Sequence, residues 1–190
     1  MAKIHNIKDF QPSFNDIFFF DNNIWIYLFY PLANFKKSKQ ATYSNFLAKI
    51  KNKNAAVFTN SMVLSEFSNY WLQTEFKKWK KDKQANVDYK RDFIKTHEFQ
   101  KSVNDLKIAL GNILKTSEKA NDDFNAVSIE NIFGEFGKCD FNDSYYIELA
   151  RLRGWKVVTE DADFFKNNNL NIEIITDNIT VYYDNDIIVK

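Results

Sequence analysis

The chain has 190 residues and a mass of 22.5 kDa, with only four glycines, two histidines and one cysteine, and its 26 Lys and Arg against 25 Asp and Glu leave a net charge of +1. Phosphate-cradling loops of the G-x-G-x-x-G and G-x-x-x-x-G-K-[ST] types are excluded, because Gly111, Gly134, Gly137 and Gly154 compose neither pattern. A four-ligand zinc finger and thiol-redox chemistry are excluded as well, since His5, His97 and Cys139 lie far apart in sequence.

The aromatic, β-branched run Ile17–Phe20 has no polar alternation and predicts a short strand buried on both faces, with Asp21 at its carboxyl end. Residues 23–30 and 40–51 read as helices, the second placing Tyr43, Phe46, Leu47 and Ile50 on one face. Ala55–Thr59 reads as a second buried strand. Asn60 and Ser61 then cap a long helix that carries Met62, Phe67, Tyr70 and Trp71. From about Glu75 to Lys119 the chain is charged and helix-compatible, with a break near Gln84 to Val87 and no strand pattern. It reads as a helical arm inserted over about 75–135.

After a polar stretch, Asp143 opens a helix whose inward face is Tyr146, Ile147 and Ala150, and Gly154 stops it. The strand 155–159 follows at once, then Asp161 and Asp163, and a last strand at Ile172–Thr176. Strands alternating with helices predict one α/β domain over 1–190, with a central parallel sheet and helices on both faces. Ligands of such sheets bind outside the carboxyl ends of the strands, where these acids fall.

Hydrophobic residues make up 45% of the chain and aromatics 17%, enough for a substantial core. The lone cysteine and the polar N-terminal segment lead us to expect a reducing, cytoplasmic location. The longest uncharged apolar run, Asn22 to Phe35, has 14 residues and includes Pro31. It is shorter than the roughly 18 residues of a membrane helix, so no membrane partner is expected. Charge is unevenly placed: residues 72–101 hold nine Lys and Arg against five acids, and residues 135–190 hold six against eleven.

Asp21, Glu66, Asp143 and Asp161 each end a strand or lie near the start of a helix, and each taken singly suits a cap or a turn. Brought together they repel one another unless a cation neutralises them, and hard ions such as Mg²⁺ or Mn²⁺ prefer oxygen ligands. Two such ions roughly 4 Å apart activate a water and stabilise the leaving oxygen in phosphodiester hydrolysis.

Four segments carry a more specific signal: FFFDNN at 18–23, FTNSMVLSEFSNYW at 58–71, DFNDSYYIELARLRG at 140–154 and KVVTEDADFF at 156–165. In this order they resemble the PIN-domain ribonucleases. The family has an Asp after the first strand (Asp21), a Glu in the helix after a Ser-containing turn (Glu66), and an Asp seven residues before a helix alanine (Asp143, Ala150). It closes with Thr-x-Asp after a strand (Thr159, Asp161), often followed by a second acid (Asp163).

The resemblance implies a three-layer α/β/α fold and metal-dependent endoribonuclease activity on RNA that leaves 3′-hydroxyl and 5′-phosphate ends. Asp21, Glu66, Asp143 and Asp161 would be catalytic and, with Asp163, hold Mg²⁺ or Mn²⁺. Similarity to the VapC-like toxins within the family further implies an antitoxin partner and a homodimer. Thr159, Asn69 and Asn22 are candidates to orient the ligand carboxylates. Asn22 stands where many members have a hydroxyl residue, and Asp140 and Asp163 compete with Asp143 and Asp161 for the same roles, Asp140 being the better cap.

The segment 76–91 interleaves Lys77, Lys78, Lys80, Lys81 and Arg91 with Phe76, Trp79 and Tyr89. It reads either as an RNA-gripping surface or as a solvated helix whose aromatics are core. A non-catalytic RNA-binding or scaffold protein is the alternative function. A phosphoacceptor receiver domain would need a Lys after the late strand, where Asp177 stands.

Overall fold

The computed structural model describes residues 3–31, 37–81, 83, 86–165 and 171–178. Strands β1 (Lys3–Asn6), β2 (Ile17–Phe20), β3 (Ala56–Thr59), β4 (Glu118–Lys119), β5 (Lys156–Val158) and β6 (Glu173–Thr176) form one sheet in the order β1-β6-β5-β2-β3-β4. Every pairing is parallel. The helices are α1 (Asn22–Phe29), α2 (Lys37–Asn52), α3 (Ser61–Lys81), α4 (His97–Thr116), α5 (Ile129–Gly134) and α6 (Phe141–Arg153), with short 3-10 turns at Phe93–Lys95 and Ala162–Phe165.

Successive strand residues point to opposite faces, and β2 shows what covers each. Phe18 meets Phe46 of α2 at 5.7 Å between ring centroids and Phe20 meets Trp25 of α1 at 5.1 Å. Phe19, between them, meets Tyr146 of α6 at 5.2 Å and stacks on Trp155 at 5.6 Å. All three phenylalanines are fully buried, which is why this strand carries no polar alternation. The expected three layers are therefore present.

β2 pairs with β3 on one side and β5 on the other, while the chain visits β3 first and returns across the sheet to β5. In parallel sheets such a reversal is where a ligand crevice forms, which here falls beyond the carboxyl ends of β2 and β5.

The four strands read from apolar runs lie within one residue of their expected bounds, and α1 begins at Asn22. Helix α2 begins at Lys37, three residues earlier than its apolar face suggests. Two strands carry no such signal. β1 buries only Ile4 fully, and β4, inside the segment expected to be strandless, is two exposed residues at the sheet edge, with Glu118 paired to Phe58. Backbone hydrogen bonding holds such edge strands, so side-chain pattern does not reveal them.

Helix α3 continues to Lys81, and Gln84 and Ala85 of the expected break lie outside the described residues, as do residues 32–35 of the apolar run and 1–2 and 179–190 of the expected domain. α4 packs on α3, where the Trp71 indole donates to Ser102 Oγ at 3.1 Å, and it adds Leu106, Ala109 and Ile113 to the core. Among the described residues no helix is long and apolar enough to cross a membrane.

Gly154 ends α6 at φ +65°, donating its N–H to Ala150. Nothing lies within 4 Å of where a Cβ would stand, so Gly154→Ala meets only the left-handed backbone penalty. It is expected to lower stability by about 1 kcal/mol, to be read as a shift in the urea midpoint without a change in slope.

Candidate metal centre

Asp21 follows β2 directly, with its own N–H donating to Val158 O on β5 at 3.1 Å. It is the N-cap of α1, and its carboxylate accepts from the Asn22 backbone N–H at 2.6 Å, the Asn23 side-chain amide at 2.6 Å and the Thr159 hydroxyl at 2.7 Å. Thr159 is fully buried at the end of β5, and its oxygen also accepts from the Asp161 N–H at 2.9 Å. One hydroxyl thus ties together the acids that follow two neighbouring strands.

Asn22 touches Asp21 through its backbone, and its side-chain oxygen is buried without a hydrogen-bond partner. The amide that orients Asp21 belongs to Asn23, which sequence reasoning missed. Its position within reach of a capping Asp was the available signal.

Glu66 lies in the second turn of α3, a helix capped by Asn60, whose side chain accepts from the Val63 N–H at 3.0 Å. Its carboxylate accepts from the Tyr146 hydroxyl at 2.9 Å and from the Asn142 amide, both on α6. Sequence reasoning placed Tyr146 only in the core and did not single out Asn142. Asp140 is the N-cap of α6, accepting from the Asp143 N–H at 3.0 Å, and Asp143 itself stands in the first turn.

Asp161 accepts from the Asp163 N–H at 2.9 Å, and buried Phe164 and Phe165 anchor the short turn that carries Asp163. Asp143, Asp161 and Asp163 each place a carboxylate oxygen within 4.8 Å of the others. Asp21 and Glu66 are not part of that triplet. Their charges nevertheless act on it.

Burial pushes the Asp143 carboxyl up to about 8, with Asp21, Asp140, Asp161 and Glu66 adding repulsion. Burial likewise pushes Asp21 up to about 7, against the opposing hydrogen bonds from Thr159 and Asn22. Glu66 is raised by burial despite the donors Tyr146 and Asn142. Among the described residues no Lys or Arg pairs with Asp21, Glu66, Asp143 or Asp161, although ion pairs are frequent elsewhere on the molecule. An all-oxygen donor set flanked by acids that have no Lys or Arg partner among the described residues fits a hard divalent cation such as Mg²⁺ or Mn²⁺.

The remaining candidates are more dispersed. Asn69 is exposed and makes no hydrogen bond to these acids. Lys78 is bound to Glu75 at 2.7 Å and sits over the Tyr30 ring, and Arg91 is bound to Asp92 at 2.7 Å. Trp79 is half-buried against Phe93, which also meets Phe76 and Tyr89, so the aromatics of this segment form a local core. Lys77, Lys80 and Lys81 are exposed.

The family profile described as PIN domain matches residues 18–170. No curated protein matches the chain. Among solved structures it is similar to VapBC2 from Rickettsia felis bound to a DNA fragment from their promoter, at 17% identity over 84% of this chain and 98% of that one, with a TM-score of 0.48. It is also similar to PAE2754 from Pyrobaculum aerophilum, at 15% identity over 90% and 91% of the two chains, with a TM-score of 0.47. The matched span runs from β2 past Asp163 and takes in all five acids, so this chain belongs to the PIN domain family.

Proposed function

We propose that the protein is a divalent-metal-dependent endoribonuclease that hydrolyses RNA phosphodiester bonds in the crevice beyond β2 and β5. The observation that carries this reading is the convergence of Asp21, Glu66, Asp143 and Asp161 from separate elements with no Lys or Arg among the described residues to balance them. Proteins of the PIN family are generally nucleases.

Asp143, Asp161 and Asp163 would hold the ion, with Asp21 and Glu66 completing the acidic wall. When bound there, Mg²⁺ or Mn²⁺ supplies neutralisation of phosphate charge and activation of water. The chain's own residues do the positioning. Thr159 and Asn23 fix one carboxylate oxygen of Asp21, and Tyr146 and Asn142 fix both oxygens of Glu66. The Asp143 carboxylate accepts no hydrogen bond among the described residues, so burial and neighbouring charge govern its ionisation, and a cation held there would favour its ionised form.

Incubating the protein with total RNA and Mn²⁺ and mapping new 5′-phosphate ends tests this. Cleavage that vanishes with chelator and in Asp143→Asn is expected. RNA left intact by the unaltered protein, or cut equally by the variant, overturns the reading. The proposal extends to a protein antitoxin that covers the acidic crevice, and to self-association. Growth arrest on expression of the chain alone, relieved by the product of a neighbouring reading frame, is the expected sign of the antitoxin.

A further inference from the structure

The helix that supplies Glu66 runs without a break from Ser61 to Lys81. At 3.6 residues per turn, Asn69, Tyr70, Gln73, Lys77, Lys80 and Lys81 all fall within about 60° of Glu66 around the helix axis. All six are exposed. The fold is held by other faces of α3: Trp71 bonds Ser102 of α4, Tyr30 at the C-cap of α1 donates to Glu75, and Phe67 is fully buried.

One solvent-facing stripe therefore leaves the acidic site and turns basic farther along. With a rise of 1.5 Å per residue, Lys77 stands about 16 Å and Lys81 about 22 Å from Glu66. Neither has an ion-pair partner among the described residues, whereas Lys78 and Arg91 are bound to Glu75 and Asp92. Between the acid and the lysines lies Tyr70, 37% exposed, its ring edge-on to Tyr30.

We propose that this stripe is the path of an unpaired RNA strand. The bond to be cut lies at the acidic site, a base rests against Tyr70, and the phosphates beyond meet Lys77, Lys80 and Lys81. This rests on the ribonuclease reading above and narrows its substrate. Acids near the cut repel a polyanion, and the basic far end of the same rigid helix attracts it, so the strand is held at a distance from the chemistry. An aromatic ring stacks any base whose face is free, which a duplex does not offer. At about 3.4 Å per nucleotide in a stacked strand, the lysines meet phosphates about five to six nucleotides from the cut.

The test is fluorescence anisotropy with Asp143→Asn protein in Mg²⁺, using a labelled trinucleotide, an unpaired RNA of about twelve nucleotides and a duplex of the same length. The longer unpaired RNA is expected to bind about tenfold more tightly than the trinucleotide. Adding Lys77→Ala and Lys81→Ala together should remove that advantage, lower the salt slope by about 1.4 and leave the trinucleotide unaffected. Adding Tyr70→Ala should weaken both single strands by about tenfold.

Unchanged affinity of the lysine variant, or preference for the duplex, overturns the path. If RNA is cut by the otherwise unaltered protein and these variants bind normally, the ribonuclease reading stands and the path falls. If binding follows the stripe but Mn²⁺ never elicits cleavage, the path stands as an RNA-binding surface and the ribonuclease reading falls.

Discussion

Asp143→Asn is expected to lower Mn²⁺-dependent RNA cleavage by at least about a hundredfold and, in the same protein, to raise the melting temperature of the metal-free form. On the proposed mechanism the loss follows because a neutral amide in the triplet weakens the hold on the divalent ion that would neutralise phosphate charge, and electrostatic contributions of this kind are worth about two to three orders of magnitude in rate.

The gain in stability follows from the same geometry. Asp143 is partly buried among Asp21, Asp140, Asp161 and Glu66, and its carboxylate gives up no hydrogen bond on becoming an amide. Allowing for its partial solvent access, relief of the cost of burying its charge, and of the repulsion added to it, should be worth about 2 kcal/mol at about pH 8. For a chain of this size that is about 4–8 °C. Thermal melts in chelator and initial rates in Mn²⁺ read the two effects separately. A variant that loses activity because it unfolds would show the opposite melting shift.

The metal-free protein is also expected to lose stability as pH rises from about 4 to about 8, the reverse of ordinary acid denaturation. Asp21 and Asp143 both have folded-state values raised above the unfolded ones, to about 7 and about 8. A carboxyl raised by folding stabilises fully below its unfolded value, and that contribution is lost as pH climbs through the folded value. Asp21 is only 5% exposed, and its shift alone corresponds to on the order of 4 kcal/mol across this window.

Glu148 and Glu173 act in the opposite sense. Against the cost of burial, hydrogen bonds from Arg151 and Lys156 respectively hold them below their ordinary range, so their contributions are lost only as pH falls through that lower range. Mn²⁺ should restore the loss and raise the melting temperature far more at pH 8 than at pH 5, because only the ionised acids bind it. Melts that rise from pH 5 to 8 in chelator, or an Mn²⁺ effect independent of pH, would refute the assignment of these acids as an uncompensated cluster.

Much of the acidic wall was legible in sequence because Asp21, Asp143 and Asp161 sit at element boundaries that sequence marks well. Asp21 follows a run of three phenylalanines, Asp143 stands three residues after a capping Asp, and Asp161 follows a valine-rich strand that Gly154 sets apart from the preceding helix. Asn23 donates to Asp21 only two residues before it, and its place beside a capping Asp was the signal passed over. Asn142 and Tyr146 were not legible as site residues. Their partner, Glu66, lies 76 and 80 residues away across the fold, and no local pattern encodes such pairings. The same holds for the basic segment. Its lysines look alike in sequence, and only packing shows that Lys78 is held by Glu75 and Tyr30 while Lys77 and Lys81 stay open to solvent.

By itself, then, the sequence determined the α/β alternation, the apolar strands at the centre of the sheet, and a chain with too little glycine, histidine and cysteine for the other routes, which left carboxylates as the proposed source of chemistry. Those properties are local, set by burial and by backbone capping within a few residues. Tertiary structure decided the rest: the edge strands β1 and β4, the reversal of strand order about β2, and which acids stand close enough to repel. Strand order and the approach of charges depend on how distant segments pack, and repulsion between carboxylates exists only once the fold has brought them together.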